Sequence, residues 1–117
     1  MVLVDTSVWV NHLRQGDPVL ANLLTSGLVL MHPFVRGELA CGTFKDRRQT
    51  LFYLSTLAPA KTASTDEVLG LLERRMLWGK GLSWIDAHLV ASALLSHARL
   101  WTADKQLHAV ASQLKLA

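Results

Sequence analysis

The chain has 117 residues, a length that suits one compact domain with a single core. Half of the residues are hydrophobic and 18% are charged, yet the longest apolar stretches, such as Leu89 to Leu95, fall well short of the roughly 20 residues a bilayer crossing needs, which excludes a transmembrane helix. The formal charge of +3 favours polyanionic partners, and the start Met1 to Val4 carries no basic n-region or extended apolar h-region, so the expected location is the cytoplasm.

In chain order, Val2, Leu3 and Val4 form a run of strand formers that ends at Asp5, and Thr6 or Ser7 can cap a helix through Val8, Trp9, Val10 and Leu13. A break at Gly16, Asp17 and Pro18 precedes a second helical pattern that stops at Gly27, and Leu28 to Met31 reads as a buried strand. Pro33 suits the first turn of a helix carrying Phe34, Val35, Glu38, Leu39 and Cys41. The segment Lys45 to Leu57 reads as an amphipathic helix ended by Pro59. Ser64 or Thr65 begins another helix, which runs to the loop marked by Gly79 and Gly81. Ser83 or its neighbour opens a helix with Asp86 in its first turn, and its small residues Ala87, Ala91 and Ser92 suit close packing. Leu100 to Thr102 reads as a strand, Asp104 begins a last helix, and Leu116 is placed at the start of a final short strand. No linker or repeat interrupts this alternation, which predicts one α/β domain over residues 1–117: a three-layer α/β/α fold with a mostly parallel sheet and ligands at the carboxyl ends of its strands.

Asp5 and Asp104 stand where that rule looks, and two further acids, Glu38 and Asp86, lie on helices. Asp5 and Asp104 follow strands, and each has hydroxyl neighbours: Thr6 and Ser7 in one case, Thr102 in the other. Asp86 lies in a first helical turn, and Glu38 in an apolar helical stretch where full solvation is not expected. Each has a structural alternative: Asp5, Asp86 and Asp104 as helix caps, Glu38 as a partner for Arg36 or another base. Their joint placement in an acid-poor chain is the stronger signal. Setting them aside leaves twelve basic against five acidic residues, so a small negative pocket would sit in a basic surface, as a nuclease for nucleic acid requires. Two carboxylates about 5 Å apart repel by roughly 3 kcal/mol at an effective dielectric of 20, a conflict that a divalent cation removes. All-oxygen ligands favour Mg²⁺ or Mn²⁺ over zinc, and the chemistry implied is phosphodiester hydrolysis.

The stretches Val4-Asp5-Thr6-Ser7-Val8-Trp9, His32-Pro33-Phe34-Val35-Arg36-Gly37-Glu38-Leu39, Gly81-Leu82-Ser83-Trp84-Ile85-Asp86-Ala87-His88-Leu89 and Leu100-Trp101-Thr102-Ala103-Asp104-Lys105 resemble, in order and spacing, those of PIN-domain ribonucleases, and in particular the VapC-type toxins of prokaryotic toxin-antitoxin pairs. The resemblance spans nearly the whole chain. It implies that Asp5, Glu38, Asp86 and Asp104 form the acidic quartet that binds metal and carries catalysis, with Thr6, Ser7 and Thr102 as hydroxyls of the same pocket. It also implies a homodimer, RNA as substrate, and a small antitoxin that blocks the site and helps bind promoter DNA. Water would attack phosphorus in line and leave a 5′ phosphate and a 3′ hydroxyl. Arg14, Lys45, Arg47, Arg48, Lys80 and Lys105 are candidates to hold RNA phosphates.

The remaining residues invite structural readings. Cys41, the only cysteine, excludes an intrachain disulfide and a cysteine zinc site and is expected to be small and buried. His12, His32, His88, His97 and His108 lack the pairing of a histidine metal site, and Trp9, Trp78, Trp84 and Trp101 are expected to pack rather than stack on bases. Gly79, Lys80 and Gly81 do not make a phosphate-binding P-loop, and Ser7 has no nucleophile-elbow setting. Two competing functions are a non-catalytic PIN-like module that binds RNA or protein, which the intact quartet disfavours, and a Mg²⁺-dependent receiver domain, whose paired acids after the first strand are absent.

Overall fold

A computed structural model describes residues 1–117. It contains four short strands, β1 (Val2–Val4), β2 (Val29–Met31), β3 (Ala58–Pro59) and β4 (Arg99–Trp101), and seven helices, α1 (Thr6–Gln15), α2 (Pro18–Thr25), α3 (Pro33–Ala40), α4 (Arg47–Ser55), α5 (Thr65–Arg74), α6 (Trp84–Ser96) and α7 (Lys105–Gln113). All strand pairs are parallel, in the order β3-β2-β1-β4. The chain steps outward from β1 to β3 and then returns across the sheet to β4. Right-handed crossovers therefore put the helices of the outward steps on one face and those of the return on the other, which gives the three-layer α/β/α arrangement expected from the alternation.

β1 lies at the centre, paired with β2 on one side and β4 on the other, and Leu3, Val4, Val29, Leu30 and Leu100 are all buried. Strands covered on both faces read as unbroken apolar runs, and these do. They join one continuous core with Leu89, Val90 and Ala93 of α6, where the small residues let the helix lie close to β1 and β4.

The element boundaries depart from the sequence reading in four main places. The helix that begins after Ser64 stops at Arg74, short of the Gly79 and Gly81 loop, and Met76 just beyond it takes a left-handed φ of 51°. Lys45–Leu57 shortens to α4 because Asp46 takes a left-handed φ of 53° just before it. Pro59 does more than end a helix: it belongs to β3, an edge strand where the missing N–H is tolerated, and Ala60 N–H still reaches Met31 O at 3.0 Å. Leu116 starts no strand. Lys115 before it has a φ of 61°, and a single bond from Leu100 N–H to Leu116 O at 2.8 Å is all the pairing it makes.

Leu3→Ala, at the fully buried centre of β1, is expected to lower unfolding stability by about 2–5 kcal/mol; urea denaturation of the two proteins checks this.

Candidate active site

The parallel register carries three side chains to one edge. One step past the Val4–Trp101 pair lies Asp5 beside Thr102, and two steps past the Leu3–Leu30 pair lies Asp5 beside His32. Asp5 is only 7% exposed, and its charge is met by three donors: Thr6 N–H to Oδ1 at 2.8 Å, Ser7 Oγ–H to Oδ2 at 2.8 Å and Thr102 Oγ1–H to Oδ2 at 2.7 Å. The same side chain caps α1, so the structural alternative weighed for it holds together with its place in the pocket.

The other acids are joined through these hydroxyls. Thr6 Oγ1–H donates to Glu38 Oε1 at 2.7 Å, which links α1 to α3. Asp104 N–H donates to Thr102 Oγ1 at 3.0 Å, Ala103 N–H donates to Ser7 Oγ at 3.0 Å, and Asp104 Oδ1 caps α7 by accepting Leu107 N–H at 2.8 Å. Asp86 stands apart from this network. Its Oδ2 accepts Ser83 N–H and its N–H donates to Ser83 Oγ, both at 3.0 Å, forming a capping box at the start of α6. Because α6 runs into β4 through only His97 and Ala98, and β4 is parallel to β1, that first turn lies at the carboxyl end of the sheet with the other three acids.

Every hydrogen bond to the four carboxylates comes from a hydroxyl or a backbone N–H. Glu38 Oε2, Asp86 Oδ1 and Asp104 Oδ2 accept none, so each of these acids offers one free oxygen. No three acidic, imidazole or thiol groups stand close enough to ligate a single ion together. The donor set fits a hard cation that keeps much of its water and takes one or two carboxylates directly, as Mg²⁺ does. It does not fit zinc, which demands three or four direct nitrogen, sulfur or oxygen ligands.

Glu38 faces solvent on α3, opposite the buried Val35 and Leu39, and is more exposed than its apolar neighbourhood suggested. It borders a groove of about 440 Å³ between α1 and the segment after α3, where Arg14 and Lys45 also line the wall with Val10, Leu13 and Phe44. Of the other basic candidates, Arg47 is spent on the carbonyls of Ala40 and Gly42, and Lys80 donates to Gln113 Oε1 at 3.0 Å. Cys41 is exposed, contrary to expectation, because it follows Leu39, the last core residue of α3. Trp9 is buried as expected, whereas Trp78 (58% exposed) and Trp84 (42%) are not packed away. They lie around the loop that precedes α6, where no further element covers them.

Residue types alone did not single out His32. Its ring is 1% exposed and caps α3: Phe34 N–H donates to Nδ1 at 2.9 Å, which fixes the proton on Nε2, and that buried N–H has no partner. The signal was available, since Pro33 at the first helical position makes residue 32 the cap. Burial first, and then the neighbouring His88 ring at 6.4 Å, push the His32 pKa down to about 4, and burial also lowers that of His88. Both rings are neutral at pH 7, so the acids meet no imidazolium from this side.

Residues 2–113 match the PIN domain family, and the chain belongs to it. Within that family its similarity is to VapC-type members. It is 47% identical to Ribonuclease VapC32 of Mycobacterium tuberculosis, strains CDC 1551 / Oshkosh and ATCC 25618 / H37Rv alike, over 118 residues that cover all of this chain and 95% of that protein.

The neutral cap makes stability depend on pH. The folded pKa of His32 lies below its ordinary value of 6.5, so its contribution is complete above pH 6.5 and is lost as pH falls toward about 4. His32→Asn keeps a capping oxygen and removes this titration, so urea midpoints taken from pH 8 to pH 4.5 should fall less steeply for the variant; parallel curves would refute the assignment.

Proposed function

We propose that the chain is a VapC-type endoribonuclease that hydrolyses RNA phosphodiester bonds with the help of Mg²⁺ or Mn²⁺, and that Asp5, Glu38, Asp86 and Asp104 are its catalytic and ion-binding acids. The observation that carries this reading is the placement of the four acids at the carboxyl end of the sheet, where hydroxyls link Asp5, Glu38 and the turn at Asp104 and where Glu38, Asp86 and Asp104 each keep one oxygen free of protein donors.

A divalent ion bound there supplies positive charge that activates water and neutralises the scissile phosphate. The protein's own residues supply orientation. Thr102 and Ser7 hold the Asp5 carboxylate in place by donating to Oδ2, and Thr6 holds Glu38 by donating to Oε1. Ser83 and Leu107 fix Asp86 and Asp104 so that their free oxygens have defined directions. Arg14 and Lys45, on the groove beside Glu38, are the cations best placed to hold the RNA backbone on approach. No side-chain nucleophile is required, and the products are a 5′ phosphate and a 3′ hydroxyl.

The reading extends to partners. Phe34 and Trp84, joined through the His88 ring, and Trp78, which lines a cavity together with Trp84, form an exposed aromatic patch that supports association with protein. We assign this surface to a homodimer and to a small antitoxin that blocks the site, with promoter DNA bound only through the antitoxin complex. No helix is long and apolar enough to cross a membrane, and the proposed place of action is the cytoplasm.

A panel of single-stranded RNAs incubated with Mg²⁺, Mn²⁺ or EDTA tests the assignment. Wild-type protein is expected to cut only with metal present, and Asp5→Asn and Asp104→Asn should each fall to the level of the EDTA control while retaining cooperative melting. Cleavage that persists unchanged in both folded variants would remove the acids from the mechanism and point to a contaminating nuclease.

A further inference from the structure

Asp86 makes no hydrogen bond to the other acids, and its capping box ties it only to Ser83. Helix α6 itself is held by its packing on α5, β4 and β1, but the aim of the Asp86 carboxylate depends on the Ser83 backbone and so on where the loop before α6 rests. That loop lies on α7. Gly81, two residues before the Ser83 cap, has a φ of +80°, and the Gln106 side chain covers it so closely that a Cβ at position 81 would lie 2.5 Å from Gln106 Cδ and 2.6 Å from both Nε2 and Oε1. One residue earlier, Lys80 Nζ donates to Gln113 Oε1 at 3.0 Å. Gln106 and Gln113 are seven residues apart, about two helical turns, so they share one face of α7 and form a two-point seat for the loop.

Both ends of this seat bear on the site. Gln106 is two residues beyond Asp104, in the first turn of α7, and Gly81 is five residues before Asp86. Glycine suits position 81 because the backbone there is left-handed, and a Cβ would displace the exposed end of the Gln106 side chain. The Gln106 amide thus stands between the start of α6 and the start of α7, the two turns that present Asp86 and Asp104.

We infer that Gln106, seated over Gly81, is a positioning residue that steadies the loop carrying Ser83 and so sets the aim of the Asp86 carboxylate, and with it the affinity of the acids for a divalent ion. This rests on the metal-dependent reading above, which assigns both acids to ion binding. Gln106 need not touch the ion or the RNA; its effect passes through the loop at 81–83 into the first turn of α6.

Calorimetric titration of Mn²⁺ into the intact chain, with thermal melts alongside, tests the inference. Gln106→Ala empties the seat and is expected to weaken Mn²⁺ binding on the order of tenfold, the size of loss that follows when residues orienting metal ligands are removed, with a cooperative melt retained. Gln106→Met refills the space over Gly81 with a chain of similar length and no amide, and should recover wild-type affinity. Gly81→Ala should weaken binding by displacing the amide; if that variant does not fold, the two Gln106 variants decide. Wild-type Mn²⁺ affinity in Gln106→Ala would overturn the inference and leave the metal site standing, whereas a wild-type chain that binds no Mn²⁺ would overturn both.

Discussion

The buried carboxylate of Asp5 is the interaction on which the rest of the site depends. At 7% exposure and with no basic side chain donating to it, this buried polar group is satisfied by one backbone N–H and two hydroxyls. Those donors come from different parts of the fold. Thr6 and Ser7 begin α1, and Thr102 directly follows β4, so satisfying this one group fixes the junction of the central strand, its neighbour and the first helix. The two hydroxyls then pass the constraint onward: Ser7 accepts Ala103 N–H and Thr102 accepts Asp104 N–H, which holds the turn into α7. Thr6 reaches Glu38 on α3 by a separate bond. Replacing the acid would leave several hydroxyls without their acceptor, so its structural and chemical roles are not separable by inspection of any one contact.

Much of this was legible in the sequence because it follows from local rules. Apolar runs ending in an acid gave β1 and β4, Pro and Gly marked most helix boundaries, and Ser83 announced α6. The pairing of Asp5 with Thr102 was not legible, since residues 97 positions apart meet only through the parallel register of β1 and β4. Glu38 was misjudged for solvation because α3 is short and narrow in its apolar face: Val35 and Leu39 go inward while Phe34, Glu38 and Cys41 do not. The cap formed by His32 shows a different limit. A histidine that accepts a backbone N–H is indistinguishable by composition from one that packs or is solvated, and only the position before Pro33 discriminated.

Separate ties hold the four acids. Hydroxyl bonds through Thr6, Ser7 and Thr102 join Asp5, Glu38 and the turn at Asp104. Aromatic contact joins α3 and α6, where the His88 ring stands 4.8 Å from Phe34 and 4.7 Å from Trp84. The two neutral histidines in that cluster matter electrostatically: imidazolium beside the acids would compete with a cation for them, and burial suppresses it.

Asp5 and Asp104 are also helix N-caps, and Asp86 closes the capping box at the start of α6, a dual use that resolves an apparent conflict. A cluster of carboxylates is unfavourable before an ion arrives, and a helix N-terminus is one of the few places where a carboxylate is stabilised by the fold itself, by about 0.3–1 kcal/mol from the dipole and about 1 kcal/mol from the capping bond. Asp5, Asp86 and Asp104 each occupy such a position, on α1, α6 and α7. For Asp86 and Asp104 the bond to the helix N-terminus takes one oxygen and leaves the other free, so in the proposed ion-binding reading the interaction that stabilises the helix start would also aim the ligand. Stability and function then make the same demand on these residues rather than opposing ones. The three helix N-termini add a further consequence, because their exposed N–H dipoles favour phosphate as well as carboxylate. A polyanion brought to this end of the sheet meets a field that the backbone creates, to which the acids and their cation add the chemistry.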